Sequence, residues 1–259
     1  MGVLNVTPDS FSDGGRYLDV DRAVAHGLQL LAEGAHVIDV GGESTRPGAD
    51  PVDAAEECRR VVPVIEALAG QVRVSIDTTK PEVAEAAVSA GASLINDVSA
   101  SLAAVAADLG VGWLAMHRQG DPRTMQADPH YDDVVAEVRD QLVAWAEAAA
   151  ARGVAEVWID PGIGFGKTLD HNLALLAHLD ALVATGYPVA VGTSRKSSLG
   201  TLLAASDGVD EVPADDRLEG SLATATWAMA QGVRMVRVHD VRATVHAAAV
   251  VAGQIETAA

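Results

Sequence analysis

Eight times along this chain a short apolar run ends at or beside a polar side chain, and a segment of helical period follows. The runs are Gly2–Asn5, His36–Val40, Val72–Asp77, Ser93–Asp97, Gly112–His117, Glu156–Asp160, Pro188–Ser194 and Arg234–His239. Continuous apolar runs of this length suit strands buried on both faces, the condition of a parallel sheet. Between them, apolar residues step by three or four: Val20, Val24, Leu28 and Leu31; Cys58, Val61, Ile65 and Leu68; Val134 or Val135, Val138, Leu142 and Trp145; Leu222, Thr226 and Met229. Gly34, Gly91, Gly110, Gly153, Gly186 and Gly232 mark the helix-to-strand turns, where a residue of positive φ ends a helix cheaply. Eight βα units within 259 residues have the size and rhythm of a (β/α)8 barrel, expected as one domain over 1–259. A doubly wound sheet is the alternative. It commonly places a Gly-x-Gly turn after the first strand, whereas here Asn5-Val-Thr-Pro-Asp-Ser-Phe follows.

Composition agrees. Hydrophobic residues make up 49%, enough for a sizeable core, and four Trp, three Tyr and two Phe are few for an all-β sandwich. The single cysteine, Cys58, excludes an internal disulfide framework and points to a reducing compartment. The start, Met-Gly-Val-Leu-Asn-Val-Thr, lacks a basic region followed by an apolar one and does not read as a signal peptide, and no apolar run approaches the ~18 residues of a membrane span. A cytoplasmic protein is expected, and the abrupt start at the first strand suggests that a short upstream segment precedes it. A net charge of −18 argues against a nucleic-acid footprint. If the substrate is anionic, the few cations must gather at one place.

In a barrel the active site lies at the carboxyl ends of the strands. Those ends carry Asn5, Asp39, Asp77, Asn96 with Asp97, His117, Asp160, Thr193 and Ser194 followed by Arg195 and Lys196, and Arg237 with His239. Some members are expected to cap the next helix, since Asp and Asn do so readily. As a converging set they predict a polar cavity. Asp77, Asp160 and Asn96 could hold a ring bearing amide and amino donors, because carboxylates accept N–H bonds and Asn both donates and accepts. Lys196, Arg237, Arg46 and His239 come from the ends after strands two, seven and eight, where barrels commonly bind phosphate. A purine-like ring deep in the site with phosphate at its rim is the expectation.

Other patterns carry less. Pro161-Gly-Ile-Gly-Phe-Gly-Lys-Thr168 resembles a phosphate-binding P-loop, but the first required Gly would fall at Pro161, so a glycine-rich loop lining the site is expected. Asn5-Val-Thr7 is a glycosylation sequon without meaning in the absence of secretion. The eight histidines show no zinc spacing, and Cys58 reads as a small core residue.

Several blocks together resemble the bacterial dihydropteroate synthases: MGVLNVTPDSFSDGG, DVGGESTRPGA, VSIDTTKPEVA, LINDVSA, MHRQGDPRTMQ, IDPGIGFGKT, VGTSRKSSLG, RLEGSLAT and VRVHDV, in order from Met1 to Ile255. The resemblance implies condensation of 6-hydroxymethyl-7,8-dihydropterin diphosphate with p-aminobenzoate on a (β/α)8 barrel, with Mg²⁺, small-molecule substrates, sulfonamide competition and a homodimer. It implies a pterin pocket of Asp77, Asn96, Asp160 and Lys196, with Asp77, Asp160 and Lys196 catalytic. Asn5, Arg237 and His239 resemble the diphosphate end, Asn5 being the metal ligand. Thr45, Arg46, Pro47, Phe165 and Ser197 resemble the aminobenzoate side, and Thr7–Gly15 and Glu43–Gly48 two mobile loops. Ala100-Ser-Leu after Asn96-Asp97-Val-Ser, and Arg118 after His117, depart from the family pattern. A pterin-binding methyltransferase and a silent paralogue are the rival readings. The resemblance also suggests helix Glu219–Gln231 as a dimer face, though packing on the barrel explains it equally.

The segments 5–15 and 45–48 are rich in Gly, Pro, Ser and Asp, so they order themselves poorly. Diphosphate with Mg²⁺ offers charge around which they can gather. p-Aminobenzoate is therefore expected to bind at least tenfold more tightly with pterin and diphosphate present, a coupling of about 1.4 kcal/mol. Calorimetry with and without diphosphate and Mg²⁺ checks this; equal dissociation constants would overturn it.

Overall fold

The structure, a computed structural model, describes residues 1–7, 16–43, 52–121 and 124–256. Strands and helices alternate as predicted, except that two helices in place of one follow both the sixth and the seventh strand. The strands are β1 (Gly2–Asn5), β2 (Val37–Gly41), β3 (Arg73–Asp77), β4 (Leu94–Asp97), β5 (Gly112–Met116), β6 (Val157–Asp160), β7 (Ala190–Val191) and β8 (Met235–Val236). The helices are α1 (Arg16–Ala32), α2 (Ala54–Leu68), α3 (Pro81–Ser89), α4 (Ala103–Leu109), α5 (Val134–Ala151), α6 (Leu169–Ala177), α7 (Leu179–Val183), α8 (Ser197–Asp207), α9 (Leu218–Ala230) and α10 (Val241–Glu256).

β1 to β6 form a parallel sheet in sequence order, and β7 pairs with β8 in parallel. Single bridges, Ile159 to Val189 and Gly2 to Val238, join the two pieces into a ring of eight. The joints are hydrogen-bonded: Ile159 N donates to Pro188 O (3.1 Å), Val3 N to Val238 O (3.0 Å) and Val238 N to Met1 O (3.0 Å). The barrel expected from the βα rhythm is therefore present. β7 and β8 are two residues each, shorter than their apolar runs, and Arg237 N continues the contact by donating to Val191 O (2.9 Å).

Alternate strand residues face opposite sides, so one set points into the barrel. At its lower end Val37, Leu94, Leu114, Ala190 and Met235 form a plug against which Met1 and Trp158 pack. Two residues further along the same strands, Val37, Leu94, Trp158 and Met235 give way to Asp39, Asn96, Asp160 and Arg237. The interior thus changes from apolar to polar within one inward step of each strand. Arg73 and Glu156, 2.6 Å apart, pair at the opposite end from these polar residues.

The second core lies between strands and helices. In α2 and α5 the predicted faces are the buried ones, through Val61, Ile65 and Leu68 and through Val134, Val138 and Leu142. In α1 and α9 the fully buried stripe lies beside the predicted one. α1 buries Ala23, Gly27 and Leu30, leaving Val20, Val24 and Leu28 partly buried; α9 buries Ser221, Ala225 and Ala228 in place of Leu222, Thr226 and Met229. Small residues win because these helices approach closely: a Cβ at Gly27 would sit 2.7 Å from Leu68 Cδ1. All six predicted turn glycines have positive φ. Cys58 is half-buried against this core, as expected.

One buried ion cluster fixes the exit from β2. The Glu57 side chain on α2 is 1% exposed, its Oε2 lies 2.5 Å from Lys80 Nζ, and Lys80 also pairs with Glu43. Glu43 in turn accepts from Val52 N (3.2 Å), tying the two sides of the β2–α2 connection. Removing Lys80 strands a buried carboxylate, which costs about 3 kcal/mol. We expect Lys80→Met to lower the urea midpoint accordingly, and Lys80→Met with Glu57→Gln to cost less than the sum of the two single changes. Additive losses would place no coupling between them.

Candidate active site

The ladder sets the site's floor. Asn5 lies opposite Gly41, Gly41 opposite Asp77, and Asp77 opposite Asn96, one register band across four strands. Asp160 ends β6. Arg237, following β8, reaches across: its Nε donates to Asp39 Oδ2 (2.6 Å) and its Nη2 to Asp77 Oδ2 (2.8 Å). Asn96 Nδ2 donates to the same Asp39 oxygen (2.9 Å). Asp39 is fully buried, and Asp39 Oδ1 and Asp77 Oδ1 are buried without a hydrogen-bond partner among the described residues.

An unpartnered buried carboxylate oxygen is costly unless a donor meets it. Burial, opposed by Arg237 and reinforced by the charge of Asp39, pushes Asp77 up to about 7. Burial raises Asp160 too, against the pull of Gly162 N, which donates to its Oδ1 at 2.7 Å, and of Lys196. Arg237 is held above its ordinary range by Asp39 and Asp77, which outweigh its own desolvation. Lys196 is lowered to about 8 by burial. Its ammonium donates to Ile163 O and stands 4.1 Å from the centroid of the Phe165 ring, a cation–π contact.

The structure brings together Asp77, Asn96, Asp160, Lys196, Phe165 and Arg237, with Asn5 beside Asp77 across Gly41. His239 pairs with the neighbouring strand end instead, its Nδ1 3.0 Å from Ser194 Oγ. Ser197 is exposed at the start of α8, next to Lys196. Thr45, Arg46 and Pro47 lie outside the described residues, as does most of each predicted mobile loop.

Three strand-end residues serve the scaffold. Asp97 accepts from Ser99 N (2.9 Å), Leu102 N (2.7 Å) and Trp113 Nε1 (3.1 Å), holding the turn in which Ala100 takes φ 53°. The Arg195 guanidinium is paired with Asp240 at 2.7 Å. His117 is buried against Lys167. Asp39, named among the polar strand ends, was given no site role although it is an inward polar residue in an apolar strand, and Lys167 was missed behind its P-loop-like setting.

Among the described residues no group of three His, Cys, Asp or Glu side chains could hold a metal ion. Asn5 offers one amide oxygen close to the Asp77 carboxylate. That donor set fits Mg²⁺, which takes few protein oxygens and draws its other ligands from water and phosphate. No helix among the described residues is long and apolar enough to cross a membrane.

The pterin binding enzyme family matches residues 1–239. This chain belongs to it, among the dihydropteroate synthases. The Mycobacterium leprae dihydropteroate synthase is 51% identical across 97% of this chain and 91% of its own length. The Xanthomonas albilineans dihydropteroate synthase, solved with 4-aminobenzoic acid, superposes with a TM-score of 0.89 at 49% identity over 100% of this chain and 93% of that one. The Yersinia pestis dihydropteroate synthase in a sulfonamide drug complex gives a TM-score of 0.90 at 45% identity over 99% and 94%.

Burial and the charge of Lys167 lower His117 to about 3. Between pH 3 and 6.5 an unfolded imidazole takes up a proton that the folded one refuses, so this contribution is complete above about 6.5 and declines as pH falls through the window. We expect His117→Gln to flatten the loss of urea midpoint between pH 7 and 4. An unchanged slope would mean that His117 protonates freely in the fold.

Proposed function

We propose that this chain, as a single domain over 1–259, condenses 6-hydroxymethyl-7,8-dihydropterin diphosphate with p-aminobenzoate, giving 7,8-dihydropteroate and diphosphate. The observation that carries the reading is the set of buried carboxylates, Asp77 with its unmet Oδ1 and Asp160, closed in by Lys196 and Arg237. A pterin ring presents N–H donors, and carboxyl acceptors in a water-poor pocket bind them strongly.

Asp77, Asn96 and Asp160 hold the ring in this reading. Ring N–H groups meet the carboxylates, which favours positive charge on the ring as the bond from the methylene carbon to the diphosphate oxygen breaks. The bonding pair leaves with diphosphate. Arg237 and, two residues on, His239 are assigned to that end in this reading, His239 steadied by Ser194 Oγ, and Asn5 would hold Mg²⁺, which when bound supplies neutralising charge for the leaving group. The amine nitrogen of p-aminobenzoate then bonds to the methylene carbon and releases its proton to solvent. An arylamine is uncharged, so no strong general base is needed. Thr45, Arg46, Pro47, Phe165 and Ser197 position it, and Phe165 is held under Lys196 for that purpose.

Lys196 donates near the ring and offsets the charge of Asp160. Sulfonamides, which share the shape of aminobenzoate, compete at the same place. We assign the protein to the cytoplasm and to a homodimer, with the exposed Trp227 and Leu218 of α9 at the contact.

Coupled consumption of p-aminobenzoate and release of diphosphate tests the reading. Asp77→Asn and Asp160→Asn should each weaken a pterin analogue about 10- to 100-fold with the circular dichroism unchanged, as loss of a charge-assisted bond of about 1.5–3 kcal/mol implies. Wild-type affinity in both variants would refute the pocket.

A further inference from the structure

The run Gly162-Ile-Gly-Phe-Gly-Lys167 spends its lysine on acceptors of the protein itself. Lys167 is 3% exposed. Its Nζ lies 3.0 Å from His117 Nδ1 and donates to Phe165 O (3.0 Å), Gly162 O (3.1 Å) and His117 O (3.4 Å). An ammonium has three N–H bonds, so these four acceptors use them all. They stand in for the water that burial removed, and without such partners the charge would be expensive to hold.

The rest of the loop is tied as closely. Gly162 N donates to Asp160 Oδ1 (2.7 Å), Gly164 N to Asn172 Oδ1 (2.7 Å), Tyr131 Oη to Gly166 O (2.9 Å) and Lys196 Nζ to Ile163 O. Gly162 and Gly166 have φ of 65° and 63°, and a Cβ at either would meet backbone, His117 O at 1.8 Å or Gln119 O at 2.3 Å. The loop is therefore pressed against the end of β5. Lys167 is the group that joins two of its carbonyls, Gly162 O and Phe165 O, to that strand end.

We propose that Lys167 is a positioning residue: with His117 it forms a buried hub that fixes the β6–α6 loop and so places the Phe165 ring beneath Lys196, without touching either substrate. The proposal rests on the synthase reading, because Phe165 is assigned there to the aminobenzoate side. It also explains how a lysine in a phosphate-loop-like sequence can be needed while binding no phosphate. Of the pterin acceptors, Asp77 and Asn96 sit on β3 and β4 and are held by Arg237 and Asp39, while Asp160 touches the loop through Gly162 N, so a small effect on the pterin diphosphate is expected beside a large one on p-aminobenzoate.

The test is Lys167→Met in the full chain, read in two ways. Steady-state assays should show the KM for p-aminobenzoate raised at least tenfold and that for the pterin diphosphate changed less than threefold. Lys167→Arg, which keeps a cation, should recover part of the loss. Hydrogen exchange over 161–168 should accelerate at least tenfold, with 73–77 unchanged. Unaltered KM for both substrates, or a rise confined to the pterin diphosphate together with weaker binding of inorganic diphosphate, would overturn the proposal. If Lys167→Met does not fold, His117→Gln carries the same test, with a rise of about threefold for p-aminobenzoate expected and no rise refuting it. Absence of product from the wild type would refute the synthase reading alone, and the exchange measurement still decides on the hub.

Discussion

The guanidinium of Arg237, set between the carboxylates of Asp39 and Asp77, is the interaction on which both barrel and site depend. It reaches from the end of β8 across β1 to β2 and β3, where the ring is closed by a single bridge between Gly2 and Val238. Two carboxylates thus share one guanidinium, and burial pushes Asp77 up to about 7. A buried arrangement of this kind adds little net stability, because desolvation consumes most of the Coulombic gain. What it gives is a pair of fixed acceptors, Asp39 Oδ1 and Asp77 Oδ1, that the fold leaves unmet. A ligand with matching donors recovers that loss on binding, so the unpartnered oxygens become affinity and added stability in the complex.

This explains why so acidic a chain can manage a site for an anionic substrate. With 18 basic against 36 acidic residues, its surface does not attract diphosphate. Lys196 and Arg237 are instead concentrated where strands end, in a medium of low dielectric in which each charge counts for more. Lys167, buried beside them, spends its donors on the protein and leaves the anion to the others.

The alternation of the sequence carried much of this arrangement. Eight apolar runs gave eight strands, and their polar ends gave Asp77, Asn96, Asp160, Lys196 and Arg237. What alternation does not encode is how close two elements come. α1 and α9 press their smallest residues inward, so a search for large apolar side chains finds the stripe next to the buried one. Nor does a strand-end position say which way its side chain is spent. Asp97 and Asp160 end neighbouring kinds of strand with the same carboxylate, yet Asp97 is occupied by three local donors and a tryptophan. The difference lies in the turn that follows, a tight one at Ala100 and a glycine-rich one after Pro161.

Arg195 shows the same division of labour at the residue next to the proposed catalytic lysine. Its φ of 61° lies in the left-handed region, at a cost of roughly 1–2 kcal/mol for a side chain of this kind. Three contacts hold it there: its N–H donates to Ser221 Oγ (3.0 Å), its carbonyl accepts from Arg217 Nη1 (2.9 Å) and its guanidinium pairs with Asp240. The Arg217 guanidinium is itself fixed on Val212 O by Nε and Nη2, at 2.9 and 2.7 Å. Such a conformation persists because the surroundings over-determine it, and here its consequence is local. The turn at Arg195 lets Lys196 open α8 with its ammonium directed onto Ile163 O and the Phe165 ring. In a regular strand-to-helix passage two adjacent cations would share one environment. The strained residue separates them, one bound to the scaffold and the other delivered to the site.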